Sequence, residues 1–196
     1  MPFLTILTRV HPARPKCLMR NIKSVEMQTD GDLHHLLLRP EVEPNDVIKV
    51  GPLIHYAAAR IQGRYIMQLP DDDQLRSPEF VKNLRAITES ESADMVIFRM
   101  EIGQWVCPPD DKWLARCIEG GYIAGQNVIV KREIYDGASH EWLRPEYGAD
   151  FYYIQTAFGL SKKVVWWDYV GTESQWITRV APGTSEESII LRPTCI

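Results

Sequence analysis

The sequence lacks the long apolar segments that mark membrane proteins. None of its apolar runs approaches the roughly 18 residues that a membrane-spanning helix needs. The first residues, MPFLTILTRV, carry no basic stretch ahead of their short apolar run, whereas a secretory signal peptide would. Internal repeats and low-complexity segments are also missing, which excludes solenoid and collagen-like chains. We therefore expect a cytoplasmic protein without a transmembrane segment.

Cysteine is scarce, and its spacing matches no common metal-binding pattern. The four cysteines are Cys17, Cys107, Cys117 and Cys195. They form no C-x-x-C pair, which argues against a zinc site. Because they are widely spread in a chain that is not small, we expect reduced thiols rather than a disulfide framework.

Neither sign of charge is in large excess. The 22 Lys and Arg residues against 26 Asp and Glu residues give a formal net charge of −4. A chain this mildly acidic lacks the basic footprint of a nucleic-acid-binding protein, so we expect no nucleic-acid partner. The composition, 45% apolar and 24% charged, is that of an ordinary globular protein. At about 150 residues per domain, we expect one domain over residues 1–180 and a C-terminal tail over residues 181–196.

Predicted strands alternate with predicted helices over the first hundred residues. Short apolar runs predict strands at residues 3–8, 33–38, 64–69 and 94–100, and later at 122–130 and 163–170. Apolar residues at helical spacing predict helices near residues 15–28, 53–61, 78–87, 132–137 and 150–158. This alternation predicts an α/β fold with a mostly parallel central sheet flanked by helices. Such sheets bind ligands at the carboxyl ends of their strands.

Three consecutive acids, Asp71, Asp72 and Asp73, follow the third predicted strand. Side chains alternate along extended chain, so we expect Asp71 and Asp73 to point the same way. Two carboxylates on one side make a hard oxygen site that suits Mg²⁺ or Mn²⁺, often completed by substrate phosphates. The alternative is a solvated turn, since Asp is common in turns. The position directly after a strand favours a ligand site.

Three segments, in order, carry a resemblance to a known family. In the first, FLTILT is followed by Arg14-Pro15 and a helix that ends in Ser-Val. In the second, AAARIQGRYIMQLPDDDQL combines an alanine-rich helix, a glycine and a strand that ends in an Asp-x-Asp motif. In the third, GQNVIVKR precedes an acid that opens a helix, and a glycine precedes the last strand. On these motifs the chain resembles the family 2 glycosyltransferases, which have the GT-A fold, over about residues 3–170.

The resemblance implies transfer of a sugar from a nucleotide-sugar donor to a hydroxyl of a carbohydrate or other acceptor, with inversion. Asp71 and Asp73 match the Asp-x-Asp motif and would bind Mn²⁺ or Mg²⁺ together with the donor, with Asp72 between them. Asp150 matches the acid that acts as general base on the acceptor hydroxyl, although Ala149 stands where the family has Glu. Glu146 is a second candidate base. The alternative roles are a helix N-cap for Asp150 and an exposed surface residue for Glu146.

The residues expected near the nucleotide base depart from the family pattern. Leu38-Arg39-Pro40-Glu41 stands where the family has an acidic turn after the second strand, so the carboxylate that contacts the base is either missing or moved to Glu41. Thr8 with Arg9 replaces a Pro-x-Tyr-Asn segment. The resemblance therefore leaves the base open. It also leaves a second hypothesis, a non-catalytic GT-A scaffold that binds a nucleotide, a carbohydrate or an assembly partner. A nucleotidyltransferase is not favoured, because no Gly-rich, basic phosphate loop follows the first strand.

Four residues are candidates for the acceptor pocket: Asn127, Arg132, His140 and Trp142. They lie on or after the Gly-x-Asn strand and before the candidate base in the sequence. Three of them have a structural alternative, which is a structural ion pair for Arg132, a surface loop for His140 and core or hairpin packing for Trp142.

Overall fold

The computed structural model describes residues 1–39, 50–144 and 148–175. Its strands are β1 (Leu4–Arg9), β2 (Leu33–Leu38), β3 (Tyr65–Gln68), β4 (Asp73–Leu75), β5 (Met95–Ile102), β6 (Trp105–Cys107), β7 (Val128–Lys131) and β8 (Val164–Ser174). Its helices are α1 (Pro15–Glu26), α2 (Val50–Tyr56), α3 (Phe80–Glu91), α4 (Asp110–Leu114), α5 (Arg132–Ala138) and α6 (Ala149–Leu160). Short 3₁₀ turns span Ala57–Arg60, Gly125–Asn127 and Ser139–Leu143. None of the described helices is long and apolar enough to cross a membrane.

All these strands belong to one sheet in the order β2-β1-β3-β7-β5-β8-β4, and β6 pairs with β5. β1 is parallel to β2 and β3, and β5 is parallel to β8. β7 is antiparallel to both β3 and β5, and β4 and β6 are antiparallel to their partners. The sheet is therefore mixed but mostly parallel, as expected from the sequence: β1, β2, β3, β5 and β8 run in one direction, and β4, β6 and β7 run in the other. β6 folds back on β5, and the chain then re-enters the sheet between β3 and β5 in the opposite direction.

Helices cover both faces of the sheet. One apolar cluster joins α2, α5 and α6 to the strands, and the other joins α1 and α3 to the opposite face. Along β5, Met95 and Ile97 belong to the first cluster and Val96 and Phe98 to the second, all fully buried. Strands buried on both faces are typical of α/β proteins, in which continuous apolar runs replace alternation. The α/β fold class predicted from the sequence is confirmed.

Helix α1 carries Asn21, the polar side chain that matters most for the candidate site. Pro15 occupies its first turn, where a missing N–H is tolerated. Its buried face presents Cys17, Asn21 and Val25 at intervals of four residues. Cys17, Cys107 and Cys117 form no disulfide bond within the described residues, and Cys195 lies outside those residues.

The carboxyl ends of five strands, β1, β2, β3, β5 and β8, lie at one edge of the sheet. These strands run in the same direction, because β7 is antiparallel to both β3 and β5. Arg9, the turn after Gln68, Ile102 and Ser174 therefore lie at this edge. β4 returns the chain from the edge, and Asp73 pairs with Ser174 of β8.

Gly63 tests how closely β1 and the entrance to β3 must approach. A Cβ added at Gly63 would lie 2.4 Å from the backbone nitrogen of Thr5 and 2.7 Å from its Oγ1. We expect Gly63→Ala to lower the free energy of unfolding by about 1–3 kcal/mol, the usual cost of overpacking. Urea unfolding measures it. Gly31→Ala is the control, since no atom lies within 4 Å of its added Cβ. Equal stability of the two variants would contradict the close approach.

Candidate active site

The acidic triplet forms a turn between β3 and β4. Asp71 and Asp72 lie in the turn, and Asp73 begins β4 with its N–H donated to the carbonyl of Pro70 at 2.9 Å. Asp71 and Asp73 are buried, whereas the side chain of Asp72 is 34% exposed. Within the triplet it is therefore Asp72 that presents an accessible carboxylate, not the Asp71 and Asp73 pair that strand alternation predicted.

Two buried amides hold this turn in place. The Nδ2 of Asn21 donates to the carbonyls of Pro70 and Asp73, each at 2.9 Å. From the end of β8, the backbone N–H of Gln175 donates to the carbonyl of Asp72 at 2.7 Å, and its side chain donates to that of Asp73 at 3.3 Å. The turn is thus fixed from α1 on one side and from the end of the sheet on the other.

The loop after β1 supplies donors to the carboxylates. The backbone N–H of His11 donates to Oδ2 of Asp71 at 2.6 Å. Nη1 of Arg14 lies 3.4 Å from Oδ1 of Asp71 and forms a closer ion pair with Oδ2 of Asp72. Both oxygens of Asp71 are therefore engaged, and one oxygen of Asp72 is.

Burial makes the negative charge of this cluster costly. Burial is the main cause that raises the pKa of Asp73 to about 8, with the charge of Asp72 as the next. A hydrogen bond with the side chain of Ser174 and the charge of Arg14 act in the opposite direction. Burial also raises the pKa of Asp71, against the hydrogen bond from His11. A proton or a cation at this turn would relieve that cost.

Asp150 lies in the first turn of α6, on a separate element. Gly148 is the N-cap residue and has a φ of 93°, a left-handed conformation that glycine adopts without strain. Asp150 is half-buried and is not the N-cap, contrary to the structural alternative considered for it. Burial raises the pKa of Asp150, while the backbone N–H of Phe151 and the charge of Arg9 lower it.

Arg9, the last residue of β1, acts electrostatically on both the acidic turn and Asp150. Its charge lowers the pKa of both Asp71 and Asp150, so its guanidinium lies within electrostatic reach of both. Among the described residues, its side chain has no hydrogen-bond or ion-pair partner. Arg9 is therefore a cation that acts electrostatically on both the acidic turn and Asp150 and is still able to bind an anionic ligand.

Thr8 lies beneath the site rather than in it. Thr8 is fully buried, and its hydroxyl donates to the carbonyl of Leu69 at 2.8 Å and lies 2.8 Å from Nε2 of His35. Burial lowers the pKa of His35 to about 4, so this ring stays neutral. We therefore no longer expect the Thr8 hydroxyl to contact a nucleotide base. Glu41, the other base-contacting candidate, lies outside the described residues.

Two of the acceptor-pocket candidates are engaged in backbone support. Asn127 is fully buried, and its Nδ2 donates to the carbonyl of Phe98 at 3.1 Å. Arg132 pairs with Asp136 at 2.9 Å and donates to the carbonyl of Ile61 at 2.7 Å. Their side chains hold neighbouring elements together, which is the structural alternative for Arg132.

The other two acceptor-pocket candidates differ in exposure. Trp142 is buried and packs against Tyr153 of α6, with ring centroids 5.2 Å apart. His140 is exposed and lies 3.4 Å from the carboxylate of Glu141. The structural alternatives, core packing for Trp142 and a surface position for His140, describe these contacts. Glu146 lies outside the described residues.

Arg14, Asn21 and Gln175 are site residues that the sequence analysis does not assign to the site. Arg14 enters it only as part of an Arg-Pro loop motif, although a basic residue after β1 at the ligand-binding edge is a usable signal. Gln175 carried no local signal, because its partners Cys17 and Asp73 are far away in the sequence.

The turn suits a divalent cation only in part. Carboxylate oxygens are hard ligands of the kind that Mg²⁺ and Mn²⁺ prefer, and Asp72 has one oxygen without a partner in the described chain. No three His, Cys, Asp or Glu side chains within residues 1–39, 50–144 and 148–175 form a ready metal centre. The residues therefore fit an ion whose remaining ligands come from the phosphates of a substrate.

Comparison with known proteins finds similarity in structure alone. No family model matches the chain, and no curated protein matches it. TarS of S. aureus, residues 1–349, is similar with a TM-score of 0.69 at 12% identity, over 88% of this chain and 60% of that one. The chain thus spans about 60% of the length of that TarS structure. The same part of TarS has also been solved in complex with UDP-GlcNAc.

Two further structures extend the comparison. A mannosyltransferase of Pyrobaculum calidifontis, in complex with GDP-Man and Mn²⁺, has a TM-score of 0.59 at 12% identity, over 91% of this chain and 58% of that one. A glycosyltransferase involved in the glycosylation of the major capsid of PBCV-1 has a TM-score of 0.56 at 14% identity, over 94% of this chain and 95% of that one. The chain has the GT-A-like fold of these glycosyltransferases. Identities this low show the fold alone, and none of the matches assigns the chain to family 2.

Asp73 gives a pH test of the buried charge. Its pKa is about 8 in the folded chain, above the ordinary value of 3.8, so ionisation favours the unfolded chain between these values. We expect stability to fall as pH rises from 4 to 8, by at most about 1.4 kcal/mol per pH unit from this group. The Asp73→Asn variant should lack that contribution, and its advantage over the native chain should grow with pH.

Urea unfolding in EDTA at several pH values measures this difference. Asp111→Asn is the control, because Asp111 is an exposed carboxylate on α4. A pH dependence of Asp73→Asn that matches the native chain would show that Asp73 is not a buried acid of raised pKa.

Proposed function

We propose that this protein is an inverting glycosyltransferase that moves a sugar from a nucleotide-sugar donor to a hydroxyl of its acceptor. The observation that carries the proposal is the arrangement at one edge of the GT-A sheet. There, Asp71 and Asp150, on separate elements, both lie within reach of the charge of Arg9. Similar folds solved with UDP-GlcNAc or with GDP-Man support a nucleotide sugar as donor.

The donor diphosphate would lie at the acidic turn. The exposed carboxylate of Asp72, backed by Asp71 and Asp73, would hold Mn²⁺ or Mg²⁺ together with the diphosphate. When bound, such an ion supplies a Lewis acid that neutralises charge on the departing nucleotide. Arg9 adds a fixed positive charge that lies close to both the turn and the acceptor side. The hydrogen bonds from Asn21 and Gln175 keep the turn rigid, which fixes the position of the diphosphate.

Asp150 would act as the general base. As the acceptor oxygen attacks the anomeric carbon, Asp150 takes the hydroxyl proton, and the bond from that carbon to the diphosphate oxygen breaks. One displacement of this kind inverts the anomeric configuration. Burial raises the pKa of Asp150, which makes its carboxylate a stronger base than an exposed one. Glu146 is the second candidate for this role.

Nucleotide binding is the first test. We expect UDP, GDP, CDP or dTDP to raise the melting temperature of the native chain in the presence of Mn²⁺, because a ligand of the folded state stabilises it. Asp72→Asn should abolish or strongly reduce that rise. Asp72 is chosen because Asp71 and Asp73 are buried, so that changing them would also alter folding. Thermal-shift titrations measure the effect, with Asp111→Asn as the control.

Absence of any rise with all four nucleotides would contradict a nucleotide site at this turn. A rise without turnover of any nucleotide sugar would favour the alternative, a non-catalytic scaffold. The altered turn after the second strand, where the family has residues that contact the nucleotide base, is the feature that favours this alternative.

Asp150→Asn tests the chemical step. We expect kcat to fall by at least about a hundredfold, the lower range for loss of a general base. Nucleotide affinity should stay within about twofold, because Asp150 is not proposed to bind the diphosphate. Release of the nucleoside diphosphate from a nucleotide sugar recognised by the native chain measures kcat, and calorimetry measures affinity. Full activity of Asp150→Asn would remove Asp150 as the base and leave Glu146.

A further inference from the structure

Arg14 occupies the place where the donor's own charges would arrive. Its Nη1 contacts Oδ1 of Asp71 and Oδ2 of Asp72, so one nitrogen bridges both carboxylates. A divalent ion at the turn needs the carboxylate of Asp72, and Arg14 competes for the same group. The ion and the guanidinium are thus alternative partners of one acid.

The guanidinium also has unused capacity for an anion. Both of its contacts use Nη1, and within the described residues Nε and Nη2 have no hydrogen-bond partner. The side chain is 28% exposed, and Arg14 is the N-cap residue of α1 without a side-chain capping bond. A guanidinium binds phosphate through two parallel N–H donors, which is the geometry that Nε and Nη2 offer. Because the Arg14 side chain makes no capping bond to α1, it can turn from the carboxylates toward a phosphate without breaking a hydrogen bond to the helix.

The charges at the turn favour such an exchange. A donor diphosphate is an anion and must approach Asp71 and Asp72. A divalent ion held by Asp72 would supply positive charge that offsets this repulsion, and Asp72 would then exchange its ion pair with Arg14 for the ion. The guanidinium of Arg14, left without Asp72, would find a new anionic partner in the donor phosphates.

We propose that Arg14 is an exchanging cation of the donor site: it holds Asp71 and Asp72 in the empty site and moves to the donor's diphosphate when the divalent ion takes its place. This inference rests on the proposed function. It makes the ion and the nucleotide bind cooperatively, because each one favours the same change of partners, and such coupling is reciprocal. Arg14 is therefore a positioning and binding residue, not a source of the transferred proton.

The exchange predicts effects of opposite sign in one variant. In Arg14→Gln, Mn²⁺ alone no longer competes with a guanidinium, so we expect it to bind more tightly than to the native chain. UDP or GDP, titrated at saturating Mn²⁺, loses a charge-assisted partner, so we expect its affinity to fall by about tenfold or more. Electron paramagnetic resonance of free Mn²⁺ measures the first quantity, and calorimetry measures the second.

Two further variants define the cause. Arg20→Gln removes a positive charge from the same helix, where its guanidinium lies 3.7 Å from Sγ of Cys17, and should leave both affinities unchanged. Arg14→Lys keeps the charge but loses the two-donor geometry, so it should restore native Mn²⁺ binding and only part of the nucleotide affinity. A purely structural role of Arg14 would instead weaken both ligands together.

The outcomes separate this inference from the proposed function. If the native chain binds UDP or GDP but Arg14→Gln changes both affinities in the same direction, or neither, the exchange is wrong and the donor site stands. If the native chain binds neither UDP nor GDP with Mn²⁺ present, the nucleotide site itself is wrong for these bases and the exchange falls with it. Opposite changes in Arg14→Gln, absent from Arg20→Gln, would establish the exchange.

Discussion

The buried amide of Asn21 is the interaction on which the candidate site depends. It donates to two carbonyls of the acidic turn, and its Oδ1 lies 3.3 Å from the hydroxyl of Thr8, so it ties α1 to the ends of β1 and β3 at once. Asn21 is fully buried, so its hydrogen bonds are shielded from bulk water. Leaving buried partners of this kind unsatisfied costs about 1–3 kcal/mol each. The turn therefore keeps one conformation even though it carries three carboxylates.

Because that conformation is fixed, three carboxylates stay close together, and the rest of the site offsets part of their negative charge. The carboxylates of the triplet cannot move apart, because their backbone is held by Asn21 and Gln175. Arg14 and the N–H of His11 offset part of the negative charge, and burial favours a proton on Asp73. A cation that arrives with a substrate binds most favourably at a site where negative charge remains to be neutralised. The proposed diphosphate site therefore rests on two features of the acidic turn, its rigid backbone and its incompletely neutralised charge.

Local sequence patterns predicted the elements that carry the site but not the contacts between them. The third strand, the acids that follow it and the helix that begins near Asp150 were all predictable from apolar spacing and turn chemistry. The antiparallel β7 was not, because strand direction depends on how the chain returns after β6. The same holds for the pairing of Asp73 with Ser174, which no local pattern encodes.

Side-chain roles that rest on distant partners were also beyond local patterns. Thr8 and Asn127 have the residue types and positions of ligand-binding groups, yet both side chains donate to backbone carbonyls. Strand alternation predicts that Asp71 and Asp73 point the same way, but two side chains that share a direction do not necessarily share access to a ligand. Exposure decides access, and it depends on which segments pack over the turn.

The two halves of the proposed reaction come from separate elements of the fold, and Arg9 explains how they act on one substrate. The acidic turn sits after β3, while Asp150 begins α6 on the side of the sheet covered by α2 and α5. Arg9 at the end of β1 is within electrostatic reach of both. In the proposed displacement, the carboxylate of Asp150 loses its negative charge as it takes the acceptor proton, and negative charge accumulates on the departing diphosphate. A cation that acts electrostatically on both Asp150 and the acidic turn stabilises the charge where it starts and where it ends.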